Sequence, residues 1–151
     1  MEPWIVDLPS PDATTALGRV LGTSLFRGAV IALAGPLGAG KTHLVRAIAE
    51  GMNIKDSRIV SSPTFVLIHE YGARLPIYHF DAYRLQSARE FAELGVEDYL
   101  EGEGVCLIEW ADKIALLLPR EHLLVHLAGR VTCAPGVAWC RAMIAPAVCP
   151  R

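Results

Sequence analysis

Cysteine is scarce in this chain of 151 residues: Cys106, Cys133, Cys140 and Cys149 make up the count of 4, with no C-x-x-C pair and no zinc-type ligand pattern. That excludes a disulfide-stapled secreted scaffold and leaves reduced thiols of a cytoplasmic protein as the expectation. Long apolar runs are lacking as well; none approaches the ~20 residues of a bilayer span. The amino terminus has no basic segment leading into an apolar core, and Pro3, Pro9 and Pro11 interrupt it, so a soluble protein without membrane contact is expected. Nor is there an excess of one charge. At a formal net charge of −2 the chain has no surplus of cations for a phosphate backbone, which disfavours extended contact with nucleic acid. Internal repeats, low-complexity tracts and linkers are absent. At 52% hydrophobic the chain is long enough for one core and too short for two, so 1–151 reads as a single domain.

What the chain does have is a phosphate-gripping loop. Gly35-Pro36-Leu37-Gly38-Ala39-Gly40-Lys41-Thr42 matches G-x-x-x-x-G-K-[ST] throughout. In such a loop the glycines turn backbone N–H groups inward around a β-phosphate, the lysine reaches the β and γ oxygens, and the hydroxyl ligates Mg²⁺. The helix behind adds its positive end. A glycine-rich turn that merely joins strand to helix is the plain alternative. Context favours nucleotide binding: Ala29 to Ala34 is an apolar run of strand length, and from Lys41 onward Leu44, Val45, Ile48, Ala49 and Met52 recur at helical spacing, with Gly51 near the stop.

Elsewhere the pattern alternates. Asp12 is the expected cap of a helix whose stripe is Leu17, Val20, Leu21 and Leu25, ending near Arg27-Gly28. Ser61-Ser62-Pro63-Thr64 opens an extended stretch from Phe65 to Tyr71, and Gly72-Ala73-Arg74 separates it from Ile77 to Phe80, the spacing of an antiparallel hairpin. Ser87-Ala88-Arg89-Glu90 has capping-box spacing, predicting a helix to about Gly95 and a short piece from Val96 to Leu100. Val105 to Ile108 reads as a buried central strand ending in Glu109-Trp110, and Leu123 to Leu127 as another strand. Helices alternating with buried strands, one pair antiparallel, imply an α/β fold of the P-loop nucleoside triphosphate hydrolase type, a mixed sheet flanked by helices.

Phosphoryl chemistry needs more than a cradle: a second Mg²⁺ anchor and a group that positions the nucleophile. Glu109, an acid directly after an apolar strand, is the candidate metal ligand beside Thr42; its plain reading is a solvated strand-end carboxylate. In His79-Phe80-Asp81-Ala82-Tyr83-Arg84 the strand period places His79 and Asp81 on one face. Asp81 could orient water, accept its proton, or touch Mg²⁺ through water; alternatively it is a turn aspartate paired with Arg84. His79 reads as a hydrogen-bonded strand histidine. Ser62-Pro63-Thr64 resembles a γ-phosphate sensor or, equally, a strand-entry turn. Trp110 reads as a buried aromatic, with stacking on a base or partner as the alternative.

The loop, Ser62-Pro63-Thr64-Phe65, His79-Phe80-Asp81-Ala82-Tyr83-Arg84-Leu85 and Ile108-Glu109-Trp110 occur in one order, and that series resembles the TsaE (YjeE) family of small bacterial ATPases. The resemblance runs from about residue 12 to 130, with 131–151 a divergent tail. It implies an Mg²⁺-dependent ATPase acting with TsaB and TsaD partners in threonylcarbamoylation of adenosine in tRNA, with ATP and Mg²⁺ as cofactors and tRNA contacted indirectly. By the same resemblance Thr42 and Glu109 are the metal positions, and Lys41, Asp81 and Glu109 the catalytic ones. Thr14, Gly35, Pro36, Leu37, Gly38, Ala39, Gly40, Lys41, Thr42, Thr64 and Arg130 are the nucleotide-side ones. Two positions depart from the family: Pro36 stands where an acid is usual and His43 where a second threonine is usual; Pro36 removes one N–H and a carboxylate, which implies altered loop geometry or turnover. Two other functions stay open on the residues: a nucleotide-gated binding switch with little hydrolysis, and a P-loop small-molecule kinase, which needs an arginine-bearing lid that only Arg84 and Arg89 would supply.

Overall fold

The computed structural model describes residues 2–134 and 137–148, and the side chains of 2–129 and 140–146. In chain order it runs β1 (Trp4–Leu8), α1 (Pro11–Ser24), β2 (Val30–Ala34), α2 (Lys41–Gly51), β3 (Ile68–Tyr71), β4 (Ile77–Asp81), α3 (Ala88–Glu93), α4 (Val96–Leu100), β5 (Val105–Glu109), β6 (Glu121–Ala134) and β7 (Val137–Val148). The strands form one 7-stranded sheet in the order β1-β7-β6-β2-β5-β4-β3. It is mixed, as expected. Strand β2 lies parallel to β5 and β6, and β4 lies parallel to β5, whereas β3–β4, β6–β7 and β1–β7 are antiparallel. Among the described residues no helix is long and apolar enough to cross a membrane.

The parallel strands put the carboxyl ends of β2, β4 and β5 on the same edge, so the loop after Ala34 faces Asp81 and Glu109. Strand alternation then decides which side chains meet which helices. Ile31, Leu33, Ile77, Val105 and Leu107 pack against Leu44, Val45 and Ile48 of α2, while Val30, Ala32, Phe80, Cys106 and Ile108 pack against Phe91, Val96 and Ile114 on the opposite face. His79, Asp81 and Glu109 share the period of the first set, and that places them on the α2 side.

Helices α1 and α2 cross closely because their contact face is small. A Cβ at Gly22 would collide with the Ile48 carbonyl oxygen, and one at Gly51 with the Arg19 carbonyl. Two details of α1 differ from expectation. Its cap is Ser10, whose hydroxyl accepts from the Ala13 N–H at 3.2 Å, with Pro11 at the first position and Asp12 in the first turn. Val20 is exposed, so the apolar stripe is Leu17, Leu21 and Leu25.

Three further differences concern strands. Phe65 to Leu67 is a turn: the Leu67 N–H donates to the Pro63 carbonyl at 2.6 Å and Leu67 sits at φ 70°, so β3 begins only at Ile68. Pro3 and Pro9 bracket a strand rather than breaking one, since β1 fits between them. The tail supplies β7, and β6 extends well past Leu127. Cys149 and the side chains of Arg130, Cys133 and Trp139 lie outside the described residues.

Candidate functional site

The loop that follows β2 is shaped by its first glycine. Gly35 lies at φ 138°, and a Cβ there would run into the Leu127 carbonyl, so only glycine lets the chain turn this close to β6. Within the loop the Ala39 N–H closes on the Pro36 carbonyl at 3.2 Å. Helix α2 then starts at Lys41, with Gly40 at the cap position and no side-chain cap, leaving its first-turn amides for an anion.

Residues from four segments line a cavity of about 380 Å³ beside this loop, among them Gly38, Gly40, Lys41, Thr42, Thr64, Asp81 and Glu109. Glu109 is its hub. The Thr42 hydroxyl lies 2.9 and 3.1 Å from the two Glu109 oxygens, and His79 Nε2 donates to Oε1 at 2.7 Å. The carboxylate is buried at 3% exposure, which overturns the plain reading of a solvated strand end. Its Cα neighbour across β4 and β5 is Asp81.

Asp81 is no partner of Arg84. Its carboxylate accepts from Ser62 Oγ, from Thr64 Oγ1 at 3.0 Å and from the Tyr83 N–H at 2.8 Å. Arg84 instead stacks over the Phe65 ring at 4.8 Å, and Arg89 pairs with Glu93. The Ser62-Pro63-Thr64 turn is thus tied to the acid end of β4 by two hydroxyls, with Phe65 and Val66 exposed beyond it.

Lys41 folds back onto its own loop. Nζ donates to the carbonyls of Gly35 at 2.7 Å and Pro36 at 2.8 Å and sits 3.9 Å above the Trp110 ring. Desolvation lowers its pKa below the usual lysine value, opposed by the charges of Glu109, Asp112 and Asp81. Trp110, at φ 57°, turns the chain at the end of β5 and leans on Tyr83 at 4.9 Å. Its ring is only partly buried; the contact with Lys41 was not readable from a lone aromatic after an acid.

Thr14 lines a second cavity of about 240 Å³ on the other side of the loop, together with Pro9, Ala39 and Cys140; Gly38, Gly40 and His43 border both cavities. His43, the position that departs from the resembled pattern, has Nε2 2.9 Å from Thr15 Oγ1 and 3.2 Å from the Pro11 carbonyl. A third cavity of about 420 Å³ opens near Phe26 at the opposite ends of β2 and β6 and contains none of the expected residues. Of the expected set, the structure brings Lys41, Thr42, Thr64, Asp81 and Glu109 together and sets Thr14 across the loop; the side chain of Arg130 is outside the described residues.

The donors near Glu109 are oxygens of a hydroxyl and two carboxylates. That set suits a small hard cation which keeps most of its waters and takes one or two protein groups plus phosphate oxygens. Among the described residues no group of three or more His, Cys, Asp or Glu forms a closed metal cage.

A family model described as "Threonylcarbamoyl adenosine biosynthesis protein TsaE" matches residues 8–133. The chain is 44% identical over 117 residues to the tRNA threonylcarbamoyladenosine biosynthesis protein TsaE of Bacillus subtilis, covering 77% of this chain and 72% of that one. It is 40% identical over 118 residues to the protein of the same name from Treponema pallidum, covering 78% and 86%. The crystal structure of Bacillus subtilis YdiB superposes with a TM-score of 0.80 at 34% identity, covering 98% of this chain and 87% of that one.

Proposed function

The chain belongs to the TsaE family, and from that premise we propose that it is an ATP-hydrolysing protein of tRNA threonylcarbamoyladenosine formation, built as one P-loop domain and working in the cytoplasm with TsaB and TsaD partners. The observation that carries the reading is the Thr42–Glu109 contact, which joins the phosphate loop to a buried acid at the end of the neighbouring strand. Bound there, Mg²⁺ would neutralise charge that develops on the transferring phosphoryl group. Thr42 and Glu109 are the residues to hold it.

The other groups have distinct tasks. Lys41 would exchange the Gly35 and Pro36 carbonyls for β- and γ-phosphate oxygens, a trade of neutral acceptors for charged ones. Asp81 would order a water or take its proton once Ser62 and Thr64 have left its Oδ2. Those donors, Ser62 and Thr64, would turn to a γ-phosphate, so that the exposed Phe65-Val66 turn reports nucleotide state to a partner. Thr14 and Arg130 would serve the nucleoside side. With a formal charge of −2, contact with tRNA would run through the partners.

A small-molecule kinase is disfavoured because Arg84 and Arg89 are engaged with Phe65 and Glu93 instead of facing the cavity. The switch reading has one observation in its favour: Ser62 and Thr64 both donate to Oδ2 of Asp81, so that oxygen is taken up by the turn and not by water. Phosphate release measured with and without the TsaB–TsaD pair, and with no acceptor, separates the three. Hydrolysis predicts Mg²⁺-dependent release that the pair stimulates; nucleotide-dependent binding with no release would leave the switch, and release only with an added acceptor would leave the kinase.

A further inference from the structure

His79 sits in the middle of β4 with its side chain fully buried, and it is tied to no element of the backbone by its ring. Nε2 lies 2.7 Å from Glu109 Oε1, and because a carboxylate only accepts, the ring nitrogen donates. Nδ1 is buried with no hydrogen-bond partner among the described residues. The nearby Tyr71 ring, at a centroid distance of 6.2 Å, offers packing but no acceptor or donor to it, its hydroxyl being engaged with the Ser61 carbonyl and His69. A leucine or phenylalanine would fill the same space without stranding a polar atom. The imidazole is therefore ill-suited as mere filling, and what distinguishes it from an apolar side chain is the one bond it gives to Glu109.

That bond is selective between the two carboxylate oxygens. Oε1 takes the histidine N–H; Oε2 has only the Thr42 hydroxyl near it, at 3.1 Å, and Thr42 can donate to one oxygen at a time. We infer that His79 is a positioning residue that pins Oε1 of Glu109 from inside the core and so keeps Oε2 available to the metal ion beside Thr42. The inference rests on the assignment of Thr42 and Glu109 to Mg²⁺. A hydrogen bond of this kind behind a metal ligand fixes its rotamer before the ion arrives, and loss of such a partner typically weakens metal binding by about 10–100-fold.

The test is an equilibrium titration of a fluorescent ATP analogue at varied Mg²⁺, which yields the Mg²⁺ concentration for half-maximal tightening, with nucleotide affinity in EDTA measured alongside. His79→Leu should raise that Mg²⁺ requirement about 10–100-fold while leaving affinity in EDTA within roughly twofold. His79→Gln, whose amide reaches the position of Nε2, should bring the requirement most of the way back to the wild-type value; His79→Asn, one methylene shorter, should not. Where the leucine variant fails to fold, the Gln and Asn pair decides, since both are polar and differ in reach. Equal Mg²⁺ requirements for wild type, His79→Gln and His79→Asn would overturn the role of His79 alone. A wild-type protein whose nucleotide binding ignores Mg²⁺ would instead remove the metal assignment, and this inference with it.

Discussion

Replacing Glu109 tests the hub of the cavity in two ways that come apart. Alanine leaves the Thr42 hydroxyl and the His79 N–H without their acceptor. A buried donor stranded in this way costs about 1–3 kcal/mol. Thr42 borders the open cavity and can be rehydrated, whereas His79 is fully buried and cannot; removal of a desolvated carboxylate returns part of the loss. The expected net destabilisation is about 1–2 kcal/mol. Glutamine keeps the reach. Its carbonyl accepts from His79 and its amide donates to the Thr42 hydroxyl, which can turn to accept, so the change should stay under about 1 kcal/mol. Both variants lose the anionic metal ligand, worth several kcal/mol at the transition state, so turnover should fall by roughly 100-fold or more in each. Urea unfolding and Mg²⁺-dependent phosphate release, run on the same preparations, read the two effects separately. Near wild-type turnover in Glu109→Gln would refute the metal role, and equal stability of the alanine and glutamine variants would refute the hub.

Other consequences are accessible to simple measurements. Burial pushes the Cys106 thiol from 9.0 up to about 12, so the folded state resists its ionisation while the unfolded chain does not; stability is full below about pH 9 and falls as pH rises from there toward 12. The thiol's share of that loss should reach about 1.4 kcal/mol at pH 10 and should appear as the difference between the wild-type and Cys106→Ala pH profiles; parallel profiles would contradict the burial. Gly22→Ala should destabilise by about 1–3 kcal/mol in thermal or urea unfolding, because its Cβ meets the Ile48 carbonyl and backbone cannot step aside. Gly72→Ala, where a Cβ meets nothing within 4 Å, should be neutral or slightly stabilising, and the opposite ranking would refute the account of the α1–α2 crossing.

Much of this was legible because the signals were contiguous. The run into Gly35, the helical spacing after Lys41 and the apolar stretch before Glu109 each sit within one element, so β2, α2 and β5 stand where the sequence puts them. The period of two in β4 was enough to put His79 and Asp81 on one face. Register between strands is another matter. Nothing local to Glu109 says that His79 of a different strand reaches its carboxylate, although two strands that each end in an acid, one with a histidine two residues earlier, form a pattern worth testing. Asp12 is a good capping residue and competes in the sequence with the pair Ser10-Pro11, which carries the stronger signal, a hydroxyl followed by proline at the first helical position. Strand β1 is hidden because prolines flank it, and the tail that forms β7 reads equally as an added strand, a partner surface or a disordered end, with Pro146 inside it; proline argues against strand when neighbours in the sheet are unknown.

The central claim is that the cavity between Lys41, Thr42 and Glu109 takes a nucleoside triphosphate with its metal ion. Isothermal titration of the wild-type protein with ATP and Mg²⁺, repeated on Lys41→Ala, tests it most directly. Binding should saturate at one site and weaken by about tenfold or more when the charge-assisted contacts of Lys41 to the phosphates are lost. No heat from the folded wild-type protein, or equal affinity in the variant, would contradict it.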